Sequence, residues 1–138
     1  MKEGLEVGAS RTQRFTVDKD RTIGFMGEAL RVYATPWMTR DVEVTCRDFL
    51  LEFLDETENS VGARVEIDHL GPTLLGMWVE VTATVAEIEG RRVVFEVEVR
   101  DAIDKVGRAR HTRFIVDLAK QKERLEAKAA KVKEMEGS

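Results

Sequence analysis

One stripe of apolar residues constrains this chain more than any other feature. From Pro36 to about Asp55, the residues Met38, Val42, Thr45, Phe49 and Phe53 recur at steps of three and four, and Cys46 and Leu50 widen the row. That spacing collects on one side of a helix with 3.6 residues per turn, so the sequence predicts a long helix with one strongly apolar face. Thr35-Pro36 marks its start. Threonine is read as the N-cap and proline as the first helical residue, where its missing N–H would be unpaired in any case. The charged stretch 55–60 ends the helix, and a face this apolar needs a second layer to cover it.

The rest of the chain supplies that layer. After the helix the hydrophobic period changes from about 3.6 to 2. In 63–69, Val65, Ile67 and His69 share one face while Arg64, Glu66 and Asp68 share the other. The segment 75–88 places Met77, Val79, Val81, Ala83 and Val85 on one side, and 92–101 does the same with Val93, Phe95, Val97 and Val99. Glu89-Gly90-Arg91 reads as a tight turn between them, and 106–117 is a last strand rich in Arg, Phe, Ile and Val. Ahead of the helix, 5–17 ends in a short strand stopped at Asp18-Lys19-Asp20, followed by a glycine-containing loop with a short helix at 28–31. The tail 118–138 is rich in Ala, Glu and Lys with Leu118, Leu125 and Val132 seven apart, a mostly solvated helix with at most a weak helix–helix contact.

The expected fold is therefore α+β: an antiparallel sheet wrapped around one long central helix, the hot-dog arrangement, with an extra C-terminal helix. One domain is expected over 1–138, of which 118–138 is a helical extension. Sheets of this kind leave open edges, which pairing in a homodimer, or in a tetramer of paired dimers, would cover.

Composition narrows the function. The net charge is −4 with no basic block interleaved with aromatics, so nucleic-acid binding has no electrostatic support. A single cysteine excludes an intrachain disulfide and suits a reducing compartment. The N-terminus has charges where a signal peptide needs an apolar run, and no stretch of about 18 apolar residues is available to span a membrane. A soluble, cytoplasmic protein is expected.

Three polar residues occupy places that suit apolar ones. His69 lies in line with Val65 and Ile67, Glu43 adjoins the helix stripe, and Thr35 stands at the helix start two turns before it. A carboxylate and an imidazole in a partly apolar setting can perform acid–base work or attack on a carbonyl, and a helix N-terminus offers free N–H groups to a developing oxyanion. Each also has a structural reading: His69 as a satisfied strand-end residue, Thr35 as a cap, Glu43 as a solvated helix residue and Cys46 as a small core residue.

The order of these residues carries a resemblance. Val32-Tyr33-Ala34-Thr35-Pro36-Trp37-Met38, then Glu43-Val44-Thr45-Cys46, then Ser60-Val61-Gly62 followed by His69, is similar to the fluoroacetyl-CoA thioesterase group of hot-dog proteins. The resemblance extends over roughly Lys2 to Asp117, including the Glu89-Gly90-Arg91-Arg92 turn and the run Gly107 to Arg113. It implies a catalytic set of Thr35, Glu43 and His69, a Gly62 N–H that holds the thioester carbonyl, and an Arg113 that touches substrate or the CoA phosphates. His111 is left open between site and scaffold. No metal or cofactor is implied, CoA being part of the substrate. The loop before Thr35 is short and lacks an aromatic, proline-rich lid, and Leu70-Gly71-Pro72 follows His69. Both departures bear on the acyl group, so fluoroacetyl-CoA selectivity is not expected.

The function so implied is acyl-CoA thioester hydrolysis on a small or medium acyl group. Two alternatives stay open at this point, a hot-dog hydratase or dehydratase acting on acyl-CoA and a non-catalytic acyl-CoA-binding module.

Overall fold

The computed structural model describes residues 1–137. The chain runs β1 (Ser10–Thr16), β2 (Thr22–Ile23), a single 3-10 turn (Glu28–Leu30), β3 (Val32–Tyr33), α1 (Thr35–Leu51), β4 (Glu58–His69), β5 (Trp78–Glu89), β6 (Arg92–Arg100), β7 (Lys105–Asp117) and α2 (Leu118–Glu136). Five strands form one antiparallel sheet in the order β1-β5-β6-β7-β4, and β2 and β3 form a separate hairpin. The sheet wraps α1, which buries Met38, Val42, Cys46, Phe49 and Leu50 against Val81, Ala83, Phe95, Val97, Val99 and Ile115. Each large side chain so buried stabilises the fold by about 1.5–3 kcal/mol relative to exposure.

Helix and sheet approach most closely near the start of α1. A Cβ on Gly107 would stand 2.6 Å from Met38 Sδ and 3.4 Å from Val99 Cβ, so a side chain there would have to displace the Met38 tip that packs on β7. Gly107 is also the register partner of His69. The close approach therefore falls beside the residue that the sequence singled out.

Three boundaries differ from the sequence reading. Ala34, not Thr35, is the N-cap of α1, and no side chain caps the helix, because the Thr35 hydroxyl is engaged elsewhere. The helix ends at Leu51 rather than near Asp55, where the N–H groups of Phe53 and Leu54 close back onto Leu50 and Leu51 in a tighter turn. Finally, β4 begins at Glu58. Its polar start pairs with the end of β7, where Glu58 takes Arg91 at 2.8 Å and Ser60 takes Arg113.

A β-bulge interrupts β4. Gly62 pairs with Arg113 and Arg64 with Thr112, so Ala63 has no partner of its own. Ahead of the bulge the even residues Glu58 and Ser60 are buried toward the helix; after it the odd residues Val65, Ile67 and His69 turn inward. The bulge thus shifts the strand's parity by one.

No helix among the described residues is long and apolar enough to cross a membrane. α2 is capped by Asp117, which accepts from the N–H groups of Ala119 and Lys120, and it buries no residue. Leu118, Leu125 and Val132 are exposed on it.

Candidate active site

Thr35 is the first residue of α1 and His69 the last of β4. The Met38–Gly107 contact brings these two ends together, and Thr35 Oγ1 lies 2.7 Å from His69 Nδ1. Thr35 is exposed and His69 half-buried, so the threonine side lies toward solvent with the imidazole behind it. Burial holds the imidazole below the ordinary histidine range, although a hydrogen bond with the Gly71 backbone partly opposes this. Below that range the ring stays neutral near pH 7, the form that can accept a hydroxyl proton.

The His69 ring packs edge-on to Tyr33, with ring centroids 6.3 Å apart. Tyr33 is fixed in turn by a buried network. Its hydroxyl donates to Asp41 Oδ2 at 2.5 Å, and Arg21 clamps both Asp41 oxygens at 3.0 and 3.1 Å. The Tyr33 N–H donates to the Thr73 carbonyl, and the Thr73 hydroxyl donates to Asp101 at 2.9 Å. The segment that leads into Thr35 and the loop that follows His69 are therefore tied together.

A second group of side chains gathers further along. Arg113, only 5% exposed, donates through Nε to Ser60 Oγ at 2.8 Å, through Nη2 to the Ser60 carbonyl at 3.0 Å, and through Nη1 to His111 Nε2 at 3.1 Å. Gly62 lies over them: a Cβ there would stand 3.2 Å from His111 Cε1 and 3.4 Å from Arg113 Nη1. Glu43, half-buried on α1, is close enough to act electrostatically on Cys46, His111 and Arg113. Burial pushes the Cys46 thiol up to about 12, which suits a core residue and not a nucleophile.

The structure thus joins Thr35 to His69, and Glu43 to the Gly62–Arg113 region, but does not join the two groups. Eight residues of α1 separate Thr35 from Glu43 by about 12 Å, and Gly62 and His69 lie roughly 20 Å apart along β4. Asp41, Arg21 and Tyr33 were missed from the sequence. A signal existed: Met38, Asp41, Thr45 and Cys46 follow the helical spacing, so an acid stood inside the apolar stripe.

A groove of about 470 Å³ lies elsewhere, on the outer face of the sheet among Glu66, Asp68, Glu96, Arg108 and Arg110. Its charges already pair with one another, Arg108 with Asp68 at 2.8 Å and Arg110 with Glu96, which makes it a seam in a surface ion-pair ladder. The Thr35–His69 pair lies on the opposite face, toward α1.

An antiparallel sheet wrapped on a central helix, with a hydroxyl–imidazole pair where that helix begins, defines a hot-dog protein built for acyl chemistry. Comparison with known proteins makes this specific. Residues 17–119 match the family of the fluoroacetyl-CoA-specific thioesterase (FlK). The chain is 31% identical over 127 residues to the fluoroacetyl-CoA thioesterase of Streptantibioticus cattleyicolor, covering 87% of this chain and 91% of that one. A point mutant of the fluoroacetyl-CoA-specific thioesterase superposes with a TM-score of 0.84 at 30% identity, over 92% of this chain and 99% of that one. A thioesterase superfamily member from Thermus thermophilus gives 0.82 at 33% identity, over 96% of each chain. A hot-dog-like protein from Thermanaerovibrio acidaminovorans gives 0.81 at 28%, over 88% of this chain and 91% of that one. The chain belongs to the fluoroacetyl-CoA-specific thioesterase family, and it is a thioester-hydrolysing enzyme.

Proposed function

We propose that the protein hydrolyses acyl-CoA esters of small or medium acyl groups, with Thr35 and His69 as nucleophile and base. The observation that carries this is the 2.7 Å contact between Thr35 Oγ1 and His69 Nδ1, a nucleophile–base distance in a region open to substrate. His69 takes the hydroxyl proton as Thr35 attacks the carbonyl carbon. The oxyanion that forms accepts a hydrogen bond from the Gly62 N–H. The C–S bond then breaks, and the CoA thiolate takes the proton held on His69. Water, positioned by Glu43 and deprotonated by His69, cleaves the Thr35 ester and regenerates the hydroxyl. A thiolate is a good leaving group, so side chains suffice and no metal or prosthetic group is invoked.

The active enzyme in this reading is a homodimer. β4 is an edge strand of twelve residues with one side unpaired, a surface that invites a second strand. A two-fold axis crossing β4 midway between Gly62 and His69 pairs the two edges antiparallel and sets His69 of one protomer beside Gly62 of the other. Each site then combines Thr35 and His69 from one subunit with Gly62 and Glu43 from its partner. The lone, buried Cys46 thiol fits the cytoplasm.

Free-thiol release from a series of acyl-CoAs of increasing length tests the reaction, with Cys46 subtracted as background. His69→Ala and Thr35→Val are expected to fold and to lose about 10²–10⁴ in rate, and the wild-type enzyme to show an acyl adduct on Thr35 by mass spectrometry. Wild-type turnover in Thr35→Val would reassign the attack to Glu43 or to water. Enoyl product from a 3-hydroxyacyl-CoA, without thiol, would make the enzyme a dehydratase.

A further inference from the structure

Gly62 and His69 are seven residues apart on one strand, an odd separation. In a regular strand such residues face opposite sides of the sheet. Here both face α1: a Cβ on Gly62 would meet the buried His111 and Arg113, and His69 meets Thr35. The unpaired Ala63 between them makes this possible. The bulge is therefore a condition of the proposed site, and what holds it is a functional question.

His111 holds it. The ring is 1% exposed and lies opposite Val65 on β4 and Phe95 on β6. Its Nδ1 is 2.7 Å from the carbonyl oxygen of Arg64, the residue that follows the bulge, and its Nε2 is 3.1 Å from Arg113 Nη1. An arginine N–H can only donate, so Nε2 accepts and the proton sits on Nδ1, donated to the Arg64 carbonyl. The tautomer is thereby fixed by two strands at once. The ring also fills the space where a Gly62 side chain would be, 3.2 Å from that Cβ position. The charged groups that act on it are Arg113 on its own strand and Glu43 from α1, Cys46 and Arg47 of α1 act in turn on Arg113, and β4 presents Gly62 and the Arg64 carbonyl.

We propose that His111 is a positioning residue, the pin of the β4 bulge, and that in its neutral Nδ1–H form it aims the Gly62 N–H at the substrate carbonyl. This rests on the role given to Gly62 above. A proton on Nε2 would oppose donor to donor and cation to cation with Arg113, while the Nδ1–H bond to the Arg64 carbonyl persists, so the pin is the Nδ1 bond and His111 never touches substrate.

Side-chain replacement separates the two bonds. Asparagine can keep the donor near Nδ1, glutamine can keep the acceptor near Nε2, and phenylalanine keeps neither. His111→Asn is expected to stay within about threefold of wild-type kcat, and His111→Gln and His111→Phe to fall about 10- to 100-fold, the range for a misplaced reacting group. KM should change by less than the fall in kcat. Wild-type kcat in a folded His111→Phe, or a fall in His111→Asn as large as that in His111→Phe, overturns the proposal.

A spectroscopic readout is independent of turnover and of whether His111→Phe folds. In the 15N-labelled wild-type protein at pH 7, His111 should be neutral with its proton on Nδ1, donated to the Arg64 carbonyl. An Nε2–H tautomer overturns the pin even if the enzyme is fully active. A silent thiol assay with these spectral signatures intact would instead count against the thioesterase chemistry alone.

Discussion

His69 and His111 are the two histidines of the chain, and both are held below the ordinary histidine value of 6.5, in each case chiefly by burial. Arg113 beside His111 adds to the effect, while hydrogen bonds to the backbone at Gly71 and Arg64 oppose it. The sign of the linkage follows. Below 6.5 the unfolded chain takes up protons that the folded chain refuses, so stability present above that value declines as the pH falls beneath it. Each histidine can contribute at most about 1.4 kcal/mol per pH unit. Urea unfolding between pH 7.5 and 5 should show a falling midpoint, with a shallower slope in His111→Asn. A midpoint independent of pH in that window would mean that neither ring resists protonation in the fold. The window is informative because the carboxylates with lowered values, such as Glu87 and Asp101, lose their charge further toward acid.

At the scale of elements, the contact that matters is α1 against β7. Thr35 reaches His69 because Met38, one turn later, sits over Gly107, the register neighbour of His69. Met38 is fully buried, so its side chain must shift within the core to admit a methyl group. Gly107→Ala should therefore destabilise the fold by about 1–3 kcal/mol through overpacking and lengthen the Thr35–His69 contact, lowering kcat more than KM. Adding Met38→Ala should recover part of both losses, a non-additive double-mutant cycle read by unfolding and thiol release. Strict additivity would show that the two residues do not determine the approach. The Arg21–Asp41–Tyr33 network acts on the same junction from the other side, since it carries the β2–β3 hairpin and places the Tyr33 ring against His69.

For the whole molecule, the proposed homodimer shares its active sites between subunits, and complementation tests this. A dimer of Glu43→Gln chains has a lesion in every site, as has a dimer of His69→Ala chains. In a mixed dimer with shared sites, both lesions fall in one site and the other is intact. Tandem-affinity purification of the mixed dimer should recover about half of the wild-type thiol release. Activity no higher than that of either parent would place Glu43 and His69 of the same chain in one site and remove the two-fold arrangement.

Much of this protein was legible in its sequence because hydrophobic periodicity is a local property. The stripe of α1 fixed which side chains form the core, and alternation in 79–85 and 93–99 identified the inward residues of β5 and β6, because a residue's face depends on its spacing from its neighbours. Thr35, Glu43, Gly62 and His69 were legible as candidates, their order matching a known family. Their grouping was not. Only the tertiary structure decided that Thr35 meets His69 while Glu43 lies with Gly62 and Arg113, since this depends on how far the helix slides along the sheet and on a glycine that permits the approach. Likewise, Ser60 and Gly62 face the same way as Val65, Ile67 and His69 only through a bulge, and the bulge is held by a histidine 47 residues beyond the Arg64 carbonyl that it binds. Periodicity assigns faces within a strand; which strand supplies the partner that interrupts it is a property of the folded sheet.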